Sequence, residues 1–352
     1  MAGKIFRHFL TMPLRRLTRN LLLGIVMLLG VTLVIAFYIH QQEHSHTRIV
    51  SPSGGSEGVQ RAIEKLGPEG GEVLLTAGVY ECDQPIVIRS NYITLRGAGN
   101  ATVLRLKAGA NCPVIIIGDE APTPRREVSG IQVTDLAIDG NRLKQDVECW
   151  DGSCDTGEKT VIRSCGVVVR RAVDVSLERL NIYGCRSAGV VTEKGCRRLA
   201  IRELSASDNH FDGLACYETE ESLFEGLHLH RNNCAGISTD LKFNRNLISN
   251  VMLSNNGKQG IFMRDSRSNV FVGVVVVNSG EQGIFIAQTD KDPETAVVGN
   301  TFTALTVSGC KGPAVRVNDK SCKDNVLTGC QFIDNADGLS EAASGLVSMR
   351  SE

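Results

Sequence analysis

From Cys165 to Ser340 short apolar strands recur, each opened by a glycine. The dipeptides Cys165-Gly166, Ala188-Gly189, Asp212-Gly213, Ala235-Gly236, Gln259-Gly260 and Gln282-Gly283 place the glycines 23, 24, 23, 24 and 23 residues apart. Behind them come Val167-Val168-Val169, Val190-Val191, Leu214-Ala215, Ile237-Ser238, Ile261-Phe262-Met263 and Ile284-Phe285-Ile286. A further copy starts at Gly312, after an insertion from Asp290 to Ala296, and a degenerate one at Gly338. Fixed periods of this kind mean stacked units, none of which buries a core alone. The strands are short, β-branched and bounded by glycine or asparagine, which argues against paired helices. The pattern predicts an all-β protein: a right-handed parallel β-helix with neighbouring coils about 4.8 Å apart.

Within each strand the first and third residues after the glycine are predicted to point inward, the second and fourth outward. The inward set is apolar or small: Val190 and Thr192, Leu214 and Cys216, Ile237 and Thr239, Ile261 and Met263, Ile284 and Ile286. Two asparagine series mark bends. Asn209, Asn232 and Asn256 each precede their glycine by four residues, while Asn246, Asn269, Asn300 and Asn325 mark another corner. Stacked amides there satisfy polar groups that the bends leave unpaired.

Nearer the N-terminus, Leu21 to Ile39 is an uncharged apolar run of 19 residues, long enough to span a bilayer. Lys4, Arg7, Arg15, Arg16 and Arg19 precede it, and no acidic residue appears before Glu43. The positive-inside rule then predicts residues 1–20 as a cytoplasmic basic segment and 21–39 as a single transmembrane helix. Residues 40–56 would be a polar linker, with the β-helix domain, 57–345, on the periplasmic or extracytoplasmic side. A cleaved signal peptide is the alternative, but no small-x-small site follows the run. Glu57 to Leu66 reads as an amphipathic helix that caps the first coil, whose open edge would otherwise template aggregation.

Composition narrows the partners. A net charge of −1 and 5% aromatics provide neither a basic stripe nor aromatic–basic interleaving, so no nucleic acid is expected. The 12 cysteines, an even count, suit an oxidising compartment, although Cys216 and Cys234 serve equally as small core fillers. No CxxC occurs, which weighs against structural zinc.

The opening of the repeat region carries a resemblance. Gly58-Val59-Gln60-Arg61-Ala62-Ile63, Gly70-Gly71-Glu72-Val73, Gly78-Val79-Tyr80 and Ile93-Thr94-Leu95-Arg96-Gly97 resemble the start of pectin-lyase-like β-helix proteins. The resemblance implies the fold and leaves the reaction open, because that superfamily holds lyases, hydrolases, epimerases and binding proteins. Relatives of this fold often use calcium, but no acidic cage here nominates a site, and no cofactor or metal is assigned. Residues 139–163 break the rhythm as an excursion loop carrying Trp150, a candidate for stacking on a sugar ring.

The outward fourth positions form a column of Glu193, Tyr217, Asp240, Arg264 and Ala287. Lys194, Glu218, Lys242 and Asp265 follow just beyond, and Phe262 and Phe285 form an aromatic strip at the second position. Asp208-Asn209-His210-Phe211-Asp212 occupies the preceding bend, with His230 and Arg231 one coil on. Asp208-x-His210-x-Asp212 resembles the Asp-x-His-acid signature of mannuronan C5-epimerases, though Asn209 replaces the usual proline and Phe211 is inserted. The resemblance implies roles for Asp208 and His210.

Uronate lyases and epimerases abstract the proton alpha to a carboxylate, using a base, a group that neutralises the carboxylate and, for epimerisation, an opposing donor. Arg264 suits neutralisation, His210 or Tyr217 proton transfer, and Asp212 or Asp240 orientation. Those five are the catalytic candidates. Trp150, Glu193, Asp208, Glu218, His230, Arg231, Lys242, Phe262, Asp265 and Phe285 are the substrate-binding candidates, with an acidic polysaccharide as the expected partner. A hydrolase would draw on Asp212, Asp240 and Asp265. A non-catalytic glycan-binding or scaffold solenoid is the third reading, and a merely solvated charged face is the plain alternative.

Overall fold

A computed structural model describes residues 24–32, 46–145, 162–290 and 292–350. The chain divides into two units, residues 1–46 and 47–352. In the first, residues 24–32 are helical, and the rest of the apolar run lies outside the described residues. Among the described residues no helix is long and apolar enough to cross a membrane. The excursion loop's Trp150 also lies outside the described residues.

The second unit is a right-handed parallel β-solenoid of about 12 turns. Its glycine-led strands form one sheet of ten, stacked in chain order from Ile86–Ile88 and Ile115–Ile117 to Asp337–Glu341. Between these lie Val167–Arg170, Val190–Glu193, Leu214–Tyr217, Ile237–Asp240, Ile261–Met263, Ile284–Ile286 and Pro313–Val317. Pairing is parallel and residue-for-residue, as in Val190 with Leu214, Leu214 with Ile237 and Ile237 with Ile261. The predicted inward set is buried throughout and belongs to one continuous core or its polar lining.

The coil begins earlier than its periodicity suggests. Thr47–Val50, within the stretch read as linker, is a strand paired with Gly71–Leu75, and Val347–Arg350 pairs beyond residue 345. The first of these is a correction. A four-residue strand with only Val50 buried leaves too little alternation to register as a repeat. The helix Gly55–Glu64 buries Val59, Ala62 and Ile63 against the first coils. Its Gln60 covers the open edge: Oε1 accepts the Val87 N–H at 2.8 Å and Nε2 donates to the Val87 carbonyl at 3.3 Å. A side-chain amide thus takes the place of the missing strand.

The asparagines stack as expected. Asn209 Nδ2 donates to Asn232 Oδ1 at 2.9 Å, and Asn232 Nδ2 to Asn256 Oδ1 at 3.1 Å. At the other corner Asn246, Asn269, Asn300 and Asn325 are linked in the same sense at 3.1, 2.8 and 2.9 Å. Each Oδ1 also accepts a backbone N–H from the preceding coil, as Asn269 does from Asn246 at 2.9 Å. The repeat glycines make room for this. A Cβ on Gly213 would stand 2.8 Å from the Gly236 carbonyl and 2.9 Å from Asn232 Nδ2. Cys216 is a free thiol in the main core and Cys234 one in a second apolar cluster.

Replacing Asn269 by Ala strands buried donors and an acceptor in the adjoining coils. The expected loss is about 3 kcal/mol or more, read as a lower urea midpoint at unchanged m-value. Arg198→Ala removes only an exposed pair with Asp174 and leaves the midpoint in place. Equal midpoints for the two variants would contradict the ladder's structural role.

Candidate functional site

The fourth-position column exists as counted, and extends one coil further back than the sequence reading took it. Glu193 pairs with Arg170 and Tyr217 with Asp240 across adjacent strands. The order along the axis is therefore Arg170, Glu193, Tyr217, Asp240, Arg264. Arg170 stands at the fourth position after Gly166, so the same count would have found it.

The outer face of this sheet is not the merely solvated charged face of the plain alternative. Val168, Val191 and Ala215 at the second position are 5% exposed or less. With Cys165, Ala188, Phe211 and Cys234 they form an apolar cluster outside the coil, and Tyr217 packs against it. Asp212 and Asp240 are consequently buried, at 1% and 5% exposure, where surface positions had been expected.

Two adjoining clefts share Tyr217, Asp240 and Arg264. The larger, about 480 Å³, also holds Arg163, Arg170, Glu193 and Lys194, so four basic side chains face two acidic ones. The smaller, about 270 Å³, is lined by Phe211, Asp212, Ser238, Lys258 and Phe262 among others. Arg170 is 3% exposed; its Nε lies 2.6 Å from Glu193 Oε1 and its Nη1 donates to the Asp119 carbonyl at 3.0 Å. Arg264 Nη2 lies 2.5 Å from Asp240 Oδ2, and its guanidinium sits 5.2 Å over the Phe262 ring. Asp240 Oδ1 accepts from Thr289 Oγ1 and from the Leu241 N–H, both at 2.8 Å.

Asp212 has no such cation among the described ion pairs. Its Oδ2 accepts the Ser238 hydroxyl at 2.5 Å and its Oδ1 the Ala235 N–H at 2.7 Å. Burial outweighs both bonds and raises its pKa from 3.8 to about 7. Burial, with the neighbouring Asp212 charge second, also drives the Tyr217 phenol well above its usual range, so the phenol stays protonated and can donate. A near-neutral carboxyl and a protonated phenol in one cleft form an acid–base pair.

Other candidates fall elsewhere. His210 lies on the bend, its Nδ1 3.2 Å from Asn233 Nδ2, and lines neither cleft. Asp208 and Arg231 pair with each other at 2.7 Å, and the Arg231 hydrogen bonds hold Asp208 well below the usual carboxylate range. The His230 ring lies 4.3 Å from that of His228, tilted by 30°. Glu218 and Lys242 line a separate groove beyond Lys194. Asp265 is buried, accepting the Lys242 N–H at 2.9 Å. Phe285 continues the strip, stacked 5.4 Å from Phe262. The shift of His210, Asp208, His230 and Arg231 off the site has one cause. Asp208, His210 and Arg231 sit on the bend before the glycine and His230 ends the strand His228–His230 of the other sheet, so none belongs to the glycine-led sheet. Among the described residues no group of three or more His, Cys, Asp or Glu would hold a metal ion.

A ten-strand parallel sheet with axial asparagine ladders defines a class, and comparison places the chain in it. It belongs to the right-handed β-helix family, whose profile, right handed beta helix region, matches residues 127–302. The mannuronan C5-epimerase AlgE2 of Azotobacter vinelandii is 28% identical over 229 residues, 62% of this chain and 22% of that protein. The chain thus spans about a fifth of that relative. An alginate lyase from Paenibacillus sp. superposes with a TM-score of 0.61 at 13% identity, over 86% of this chain and 99% of that one. An endo-xylogalacturonan hydrolase from Aspergillus tubingensis gives 0.62 at 12%, over 87% and 95%. The last two likenesses establish the fold alone.

The Asp212 environment sets a pH dependence. Its folded-state pKa lies above the unfolded value, so its contribution is fully present below about pH 4 and lost as pH rises through about 7. Wild type should therefore lose stability relative to Asp212→Asn between pH 4 and 8, by at most about 4 kcal/mol. Paired urea titrations across that range read the difference, and a flat difference would show Asp212 to be an ordinary exposed acid.

Proposed function

We propose that this chain acts on an acidic, uronate-containing polysaccharide by C5-epimerase or lyase chemistry. The observation that carries the reading is the buried Asp212 and the partly buried Tyr217 in the smaller cleft, with Tyr217 shared by the larger cleft, where four basic side chains face two acidic ones. Both reactions begin alike. A base removes the proton alpha to the sugar carboxylate, and a cation stabilises the charge that moves onto that carboxylate. Asp212 in its ionised form takes the proton, with Ser238 orienting it, and Arg163, whose charge acts on both Asp212 and Tyr217, neutralises the carboxylate. Tyr217 is the donor. Protonation of the opposite carbon face by Tyr217 completes an epimerisation. Protonation of the departing glycosidic oxygen completes an elimination, with a double bond left in the new chain end.

The relatedness to mannuronan C5-epimerases supports the substrate class. The epimerase-like Asp-x-His spacing does not bear on the site, since Asp208 and His210 lie outside the clefts. Phe262 and Phe285 extend the floor of the site as an apolar platform for sugar faces.

The test is a panel of uronate polymers given to the full-length protein. Unsaturated-product absorbance marks a lyase, and solvent-proton exchange at C5 without absorbance an epimerase. New reducing ends alone would mark a hydrolase, and binding without turnover a glycan-binding solenoid. Tyr217→Phe, Asp212→Asn and Arg163→Ala should each lower turnover roughly 10²-fold or more. Activity should rise as pH increases through about 7, following ionisation of Asp212. Full activity in all three variants would place the chemistry elsewhere.

We further propose that Leu21 to Ile39, with the basic residues before it, tethers the chain so that the solenoid works outside the cytoplasm. The intact chain should stay with membranes through an alkaline wash. Recovery of a soluble form starting past residue 36 would replace the anchor with a cleaved signal.

A further inference from the structure

The charge order along the cleft is symmetric about Tyr217: arginine, acid, tyrosine, acid, arginine. Arg170 and Arg264 each stand two coils from Tyr217 in the pairing register. Their Cα positions are therefore about 19 Å apart, four coil spacings. Both guanidiniums are fixed at one end by the neighbouring acid, Glu193 or Asp240, and both line the larger cleft. The Arg170 Nε is held by Glu193 at 2.6 Å, while the buried Arg264 Nε has no hydrogen-bond partner. A guanidinium has five donors, so both retain capacity for a carboxylate.

An extended 1,4-linked hexuronate advances by about one coil spacing per sugar. Laid along the axis, five sugars face Arg170, Glu193, Tyr217, Asp240 and Arg264 in turn. In a chain with two-fold screw symmetry, successive carboxylates point to opposite edges. The first, third and fifth then face the column, while the second and fourth turn away from Glu193 and Asp240. A three-fold chain whose first carboxylate met Arg170 would bring its fourth against Asp240, which repels it. We propose that the cleft is a five-sugar site for a two-fold 1,4-linked polyuronate, gripped by Arg170 and Arg264 at its first and fifth carboxylates with the third at Tyr217. The proposal rests on the uronate reading above and adds the chain symmetry, the footprint and a binding role for Arg170.

Equilibrium binding of 1,4-linked mannuronate oligomers, three to seven units long, to the full-length protein tests it. Affinity should step up by about tenfold or more between four and five units, one added charge-assisted contact, and then level off. Arg170→Gln or Arg264→Gln should each abolish that step while changing trimer affinity by no more than about twofold, since a trimer needs only one arginine. Because Arg170 is buried and its variant can fail to fold, a second probe leaves the protein unchanged. A pentamer methyl-esterified on its terminal units should bind wild type no better than a trimer. A smooth rise with length, an esterified pentamer that binds as tightly as the free acid, or equal affinity for a three-fold polyuronate of the same length would overturn the proposal. Oligomers that bind and turn over without the step defeat this inference alone. Failure of every length to bind defeats the uronate reading with it.

Discussion

Every feature of this solenoid depends on polar satisfaction at its corners. A coil must turn several times, and each turn leaves peptide groups facing a dry interior, where an unpaired donor costs about as much as a lost hydrogen bond. The two asparagine ladders meet that demand along the axis: each amide accepts from the coil before and donates to the coil after. A ladder works only if successive coils keep one register, and the repeat glycines let the coils approach closely enough to keep it. Residue-for-residue stacking follows, and the column of functional side chains follows from the stacking.

That register lets one coil set the chemistry of the next. Asp212 is the one acid in the column just before the glycines, between Ala188 and Ala235. Those alanines leave it space but no counter-charge, and the apolar cluster on the outer face excludes water. Desolvation therefore wins over two hydrogen bonds and lifts the carboxyl to about 7. Asp240, at the fourth position after the next glycine and also buried, meets Arg264, so the same burial yields an ion pair instead. Two carboxylates on neighbouring coils thus do different work because of what the adjoining coil supplies.

Most of the fold was legible in the sequence. The glycine period, the inward residues and both asparagine series required only counting, since the repeat imposes the same spatial step on every copy. The site was legible as a column but not as a cleft. Counting placed Glu193, Tyr217, Asp240 and Arg264 on one face, and would have placed Arg170 there too. It treated that face as wet, because Val168, Val191 and Ala215 read as unremarkable strand residues. Their burial depends on Phe211 and Cys234 folding onto the outer face, a contact between a corner and a strand that periodicity does not encode. Counting likewise did not reveal that His210, whose type suits proton transfer, meets Asn233 on its corner. Ser238 went unnoticed because its importance lies in one hydrogen bond to the preceding coil.

The break in the repeat after Ile286 belongs to the same design. At the start of the insertion, Thr289 reaches back two coils to donate to Asp240 at 2.8 Å. Within it, the Thr295 carbonyl accepts the Asp265 N–H at 3.0 Å, and Thr295 Oγ1 accepts the Thr289 N–H at 2.9 Å. The insertion is thus laced to itself and to the coils that carry the arginine. With Oδ1 of Asp240 occupied by Thr289 and the Leu241 N–H, only Oδ2 remains to meet Arg264, which fixes the guanidinium above Phe262. A long flexible side chain is held by Asp240 and Phe262, with Thr289 bracing Asp240 from a third coil, and a precise charged site needs such support if its arginine is not to sample other rotamers. The largest departure from the 23- and 24-residue rhythm among the glycine-led coils after Gly166 therefore falls where the repeat by itself could not have immobilised the site's most mobile charge.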